Sequence, residues 1–198
     1  MILSDREIKA ALARGALKIT PEPSSDAWSS TAIDLTLAKD LVLLRVPKVA
    51  GVTTSVCPAD PNYQFDQLIA ECGQKFTIGH DGYIFKSTSF LLSWTKERIQ
   101  LPPQARLAAR VEGKSSLARL GIGVHVTAPT IHAGFGYVPN KPDYVGSPLQ
   151  LEMWNCGPLD VKLVEGMRIC QLIIEVVDGT PDKGYSGRFL VQGPPAEG

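Results

Sequence analysis

Three short segments carry the residues whose types and spacing could do chemistry. The first runs Glu112-Gly-Lys-Ser-Ser-Leu-Ala-Arg-Leu-Gly121. Gly113 permits a sharp turn, Ser115 or Ser116 suits the cap of a short helix, and Gly121 suits its end. A helix start with free N–H groups and hydroxyls attracts anions. Arg119 shares a helical face with Ser115 and Ser116, and Lys114 adds a second positive charge. The same string also suits a capped surface turn with two ordinary charges. It is not a Walker-type phosphate loop, because the preceding spaced glycine is absent.

The second segment is Gly123-Val-His-Val-Thr-Ala-Pro-Thr-Ile-His-Ala-Gly-Phe135. Strand alternation puts Val124 and Val126 on one face and His125 and Thr127 on the other. Pro129 ends the strand and leaves backbone groups of Val126 and Ala128 for partners other than a neighbouring strand. The third segment is Leu149-Gln-Leu-Glu-Met-Trp-Asn155. Here Leu149, Leu151 and Met153 share one face, with Gln150, Glu152 and Trp154 on the other. A carboxylate in so apolar a strand is either a solvent-facing charge or a general base in a cleft or subunit interface. A base there would have its pKa adjusted by burial and a nearby cation.

The elements that must position these residues are mostly strands. Ser4 followed by Glu7 is a capping box, and Ile8, Ala11 and Leu12 predict a short N-terminal helix ending at Gly15. Residues 21–31 read as an irregular loop. Short apolar runs then predict strands at 32–37, 41–46, 75–78, 83–86, 89–95, 106–112, 122–127, 148–155, 160–164 and 168–177. One interior helix is expected within 61–73. Short strands without intervening amphipathic helices point to a sandwich, barrel or jelly roll. Residues 135–148 and 179–198 read as long irregular segments, which often serve as lids or binding loops.

Composition narrows the function. Twenty basic residues balance twenty acidic ones, without the basic surplus that a nucleic-acid polymer demands. A single nucleotide needs only a few well-placed donors and a metal ion. No apolar run is long enough to span a bilayer and no signal-peptide pattern opens the chain, so a cytoplasmic location away from membranes is expected. Cys57, Cys72, Cys156 and Cys170 form no C-x-x-C pair and read as reduced thiols. The H-x-E and P-C-x-x-C segments of zinc deaminases are absent, so any deamination must activate water without zinc.

Together, "EGKSSLARLGIGVHVTA", "IHAGFG" and "LQLEMWN" closely resemble the core of dCTP deaminases, which share their fold with trimeric dUTPases. "MILSDREIKAAL", "AIDLTL" and "GMRICQLIIEVV" extend the resemblance over residues 1–178. It implies a mainly β, distorted jelly roll with a short N-terminal helix, forming a homotrimer with active sites between subunits. Residues 179–198 would then be a flexible C-terminal lid. The implied reaction is hydrolytic deamination of dCTP to dUTP; the alternatives are dUTP hydrolysis, both steps in one site, or a silent nucleotide-binding trimer.

On the matching positions, Glu152 is the expected general base, with Ser115 and Arg119 beside the cytosine ring. Val126 and Ala128 would read the base edge through backbone groups. Lys114, Ser115 and Ser116 would hold phosphates, with Mg²⁺ carried on the triphosphate. His132, Gln150, Tyr185, Arg188 and Gln192 complete the expected nucleotide contacts, and dTTP is a possible feedback ligand. The resemblance departs at His132, where the family commonly has an aspartate that holds the sugar 3′-hydroxyl. It also departs in a longer connection over 136–147 and in the tail "KGYSGRFLVQG", which matches the family's "K-Y-x-G-Q" lid only loosely.

Overall fold

The computed structural model describes residues 1–45, 55–124, 128–141, 143–185, 187 and 193–194. Helix α1, Asp5–Ala13, begins where the capping box predicts: Ser4 Oγ accepts from the Glu7 N–H at 3.4 Å. It buries Ile8 and Ala11. The strands follow as β1 Lys18–Thr20, β2 Ile33–Leu44, β3 Gly73–Thr77, β4 Tyr83–Phe85, β5 Ser89–Gln100 and β6 Leu107–Gly113. Then come β7 Ile122–Val124, β8 Thr130–Ile131, β9 Ser147–Asn155, β10 Val161–Leu163 and β11 Arg168–Val176. Two further α-helices, α2 Phe65–Cys72 and α3 Ser115–Ala118, and two short 3₁₀ turns, Ser25–Ala27 and Pro103–Ala105, complete the described elements.

Among the described residues all strand pairings are antiparallel. The main sheet runs β7-β9-β5-β2-β11-β6-β8, with β1 added to β5 and β3 to β2, while β4 and β10 form a separate ribbon. The sheet curls because β2 serves both halves. Residues 33–36 pair with β11, and residues 37–44 pair with β5 and β3. The inward faces bury Leu35, Leu37, Leu91, Val111, Leu149, Leu151, Met153, Leu172 and Ile174 in one core. On the outer face of β5, Leu92 and Trp94 pack with Val42 and with Ile69 of α2 in a second, smaller cluster.

Three expectations are corrected. The two strands expected at 32–37 and 41–46 are one: the pairing with β5 shifts register between Leu37 and Leu41, but the Lys39 carbonyl accepts from the Ile78 N–H and Asp40 pairs with Thr77 of β3, which carries the strand through. The strand expected at 89–95 runs on to Gln100, carried past a bulge by polar bonds rather than apolar side chains. There the Glu97 carboxylate accepts from the Thr36 N–H at 2.8 Å and the Thr36 hydroxyl at 2.7 Å. Thr95 Oγ1 donates to the Glu97 carbonyl and accepts from the Leu149 N–H. Finally, neither Ser115 nor Ser116 caps α3. Lys114 is the N-cap, and no side chain bonds the helix start.

Candidate active site

α3 links β6 to β7 and is pinned at both ends. Gly113 pairs with Cys170 of β11, so the helix begins on the β11–β2 side of the sheet. The Lys114 ammonium donates to Asp34 Oδ1 at 2.6 Å, and the Gln171 amide donates to the same oxygen at 3.0 Å. Arg168 lies 3.7 Å from the other Asp34 oxygen and also pairs with Asp26. Asp34 is only 8% exposed. A carboxylate that deep needs several partners, and this one holds the start of α3 through Lys114. At the far end, Gly121 adopts φ +85°, and a Cβ there would lie 2.3 Å from the Gly157 nitrogen. The Cys156 N–H donates to the Gly121 carbonyl at 2.9 Å, fastening the helix end beyond β9.

Between these anchors Leu117 is buried, whereas Ser115, Ser116 and Arg119 are exposed. Their hydroxyls and guanidinium are therefore presented to solvent on one short helix. Lys114, expected to hold phosphates, is paired with Asp34.

β9 follows its predicted alternation. Leu149, Leu151 and Met153 are buried, and Gln150, Glu152 and Trp154 are half-buried on the opposite face. Across the ladder, Gln150 faces Trp94, Glu152 faces Leu92, and Trp154 faces both Phe90 and Gly123. The Trp154 indole lies over Gly123 so closely that a Cβ there would sit 2.1 Å from the ring. Glu152 thus stands among Leu92, Gln150 and Trp154, with one carboxylate oxygen, Oε2, shielded from solvent. The strand's end is fixed by Asn155, whose side-chain amide donates to the Phe85 and Leu159 carbonyls and accepts from the Gly157 N–H.

A third cluster lies at the other edge of the sheet. His132 is exposed just after β8 and stacks on Tyr185 with ring centroids 5.5 Å apart. An open pocket of about 440 Å³ beside them is lined by Ala108, Ala133 and Lys183 among others. Ala128 is exposed just before Pro129, whose carbonyl accepts from the Val111 N–H at 2.9 Å. Val126, Arg188 and Gln192 lie outside the described residues.

Asp34 is the partner of Lys114 that spacing arguments do not reveal. Its signal resembles that of Glu152, a carboxylate inside an apolar strand, Ile-Asp-Leu-Thr-Leu. The four cysteines are free thiols, and burial pushes the Cys170 thiol far above its ordinary range. No helix among the described residues is long and apolar enough to cross a membrane.

Comparison with known proteins agrees with this fold. The solved 2′-deoxycytidine 5′-triphosphate deaminase from Agrobacterium tumefaciens shares the fold with a TM-score of 0.63 at 22% identity. The match covers 88% of this chain but 48%, about half, of that one. The dCTP deaminase of Rhodospirillum rubrum is 32% identical over 188 residues, covering 94% of this chain and 88% of its own. A protein of Aquifex aeolicus named "dCTP deaminase, dUMP-forming" is 34% identical over 193 residues, covering 97% of this chain and 91% of its own. The dCTP deaminase-like family profile matches residues 2–177. That span contains the α3 anchors, the Glu152 strand and the segment bearing His132, and the chain belongs to the dCTP deaminase-like family.

Proposed function

We propose that the chain catalyses hydrolytic deamination of dCTP, with Glu152 as general base. The observation that carries this reading is the placement of Glu152, half-buried at mid-strand between Leu92 and Trp154. A carboxylate so placed can take a proton from water while Leu92 and Trp154 beside it offer apolar surface to a flat heterocycle. Hydroxide adds to C4 of the cytosine, and the proton passes to the departing amino group, so water and dCTP become ammonia and dUTP. Arg119 supplies a fixed positive charge where negative charge develops, with Ser115 as a hydroxyl partner.

Ser115, Ser116 and Arg119 are exposed on α3 while Glu152 is half-buried in β9. This supports a site completed by a second subunit, as in the homotrimeric, jelly-roll arrangement that the family resemblance implies. Among the described residues no group of three His, Cys, Asp or Glu side chains could hold a metal ion. In this reading the Mg²⁺ rides on the triphosphate and water, and the missing zinc-deaminase segments support zinc-free water activation. The segment from 179 onward would cover the bound triphosphate and exclude water.

Separate incubation with dCTP and dUTP, measuring ammonia and pyrophosphate, tests the reading. Ammonia from dCTP is expected, without pyrophosphate from dUTP. The dUMP-forming name of the Aquifex relative favours a second reading in which both steps occur. Against it stands His132, an imidazole where a carboxylate would serve diphosphate hydrolysis. Pyrophosphate release at a rate matching ammonia would establish that second reading. Failure to release ammonia would overturn both. Truncation after Val177 is expected to leave the trimer intact and impair dCTP turnover.

A further inference from the structure

The segment 132–135 forms a ledge on which the start of the C-terminal segment rests. The Gly134 N–H donates to the Leu101 carbonyl at 2.7 Å, and the Leu101 N–H donates to the Phe135 carbonyl at 2.9 Å, tying the ledge to the end of β5. The Tyr185 N–H donates to the Ala133 carbonyl at 2.9 Å. Gly134 adopts φ +99°, and a Cβ on it would lie 2.5 Å from the Tyr185 nitrogen. Gly184 is equally confined, since its Cβ would meet Pro103 Cγ at 2.6 Å. Above this backbone seat, the His132 ring lies nearly parallel to that of Tyr185, 21° between planes. Neither ring belongs to the core: His132 is exposed and Tyr185 half-buried.

We propose that His132 is a positioning residue that seats the C-terminal segment through its stack on Tyr185. An aspartate at this position has no ring face to offer, so the imidazole gives this chain a means of holding Tyr185 independent of any carboxylate–sugar contact. The role rests on the deaminase reading, in which the segment after 179 covers the nucleotide. Aromatic pairs of this kind shift an equilibrium by roughly two- to tenfold. Because the Tyr185–Ala133 backbone bond is separate from the stack, the two contributions can be divided experimentally.

The Tyr185 amide reports seating directly. Its hydrogen exchange should accelerate roughly two- to tenfold in His132→Ala and return toward wild type in His132→Phe, which restores a ring. The KM for dCTP should rise in His132→Ala by a similar factor, more than kcat falls, with the phenylalanine variant recovering part of the loss. Unchanged exchange in His132→Ala overturns the proposal, as does altered exchange with unaltered KM, or a phenylalanine that restores neither. Exchange is measured without substrate. A wild-type protein that released no ammonia would therefore refute the deaminase reading while leaving the seating result to stand on its own.

Discussion

β9 and α3 both present polar groups from a largely apolar scaffold, yet they are held by different means. β9 is an interior strand flanked by β5 and β7, and strict alternation alone decides that Glu152 and Leu151 face opposite ways. α3 is only four residues long and has no side-chain cap. Its position depends on Asp34, eighty residues distant in sequence, and on a glycine contact at its far end. The strand's geometry is thus set by local pattern and the helix's by a remote charge pair. Substitutions in the two regions should fail differently.

The largest effect is expected at Glu152. Glu152→Gln keeps the side chain's shape but removes the proposed base, and ammonia release from dCTP should fall about 10²–10⁴-fold. Nucleotide binding and the melting temperature should hold; near wild-type turnover would remove Glu152 from the mechanism. Its neighbour should behave in the opposite sense. Leu151 is fully buried, and Leu151→Ala should cost about 2–5 kcal/mol in denaturant unfolding. A smaller cost would mean that the strand is less rigidly packed than its burial implies.

In the other region, Asp34→Asn leaves the Lys114 ammonium and the Arg168 guanidinium without their shared carboxylate. A loss of about 1–3 kcal/mol is expected, and adding Lys114→Met should recover part of it because the stranded charge is then gone. Strict additivity of the two changes would show that the pair does not hold α3. The smallest effect concerns an exposed counterpart. The Lys86 ammonium, followed by the Ser87 N–H, holds the Asp160 carboxyl below its usual range. A carboxylate with a lowered folded pKa contributes stability at neutral pH and loses it as pH falls through that pKa. Asp160→Asn should therefore slightly flatten the stability profile below about pH 4. An unchanged acid limb would show that solvent screens the pair completely.

The same contrast explains what could be read without coordinates. The capping box at Ser4, the alternation of β9 and most strand positions follow from rules spanning a few residues. The continuity of β2 through Lys39 and Asp40 does not, since it depends on β3 supplying a partner where the pairing with β5 shifts register. The same holds for the last residues of β5, where Glu97 and Thr95 supply bonds around a bulge. Within the site, Glu152 was readable as a carboxylate in an apolar strand. The engagement of Lys114 by Asp34 was not, because nothing nearby in the sequence marks which cation a buried carboxylate will capture. The docking of Tyr185 on His132 was hidden for the same reason.

The bend in β2 has an arithmetical side. Leu37 faces Thr95 and Leu41 faces Ser93, so four steps along β2 run against two along β5. The surplus is even. Side chains reverse face with every step along a strand, so an even surplus lets Leu35 and Leu37 before the bend and Leu41 after it all point into the same core. An odd surplus would turn Leu41 outward and bring Val42, now on the outer cluster, inside. Length changes over residues 38–40 should consequently be tolerated by parity rather than size. Inserting two residues preserves both apolar faces, whereas inserting one exchanges them for the rest of the strand.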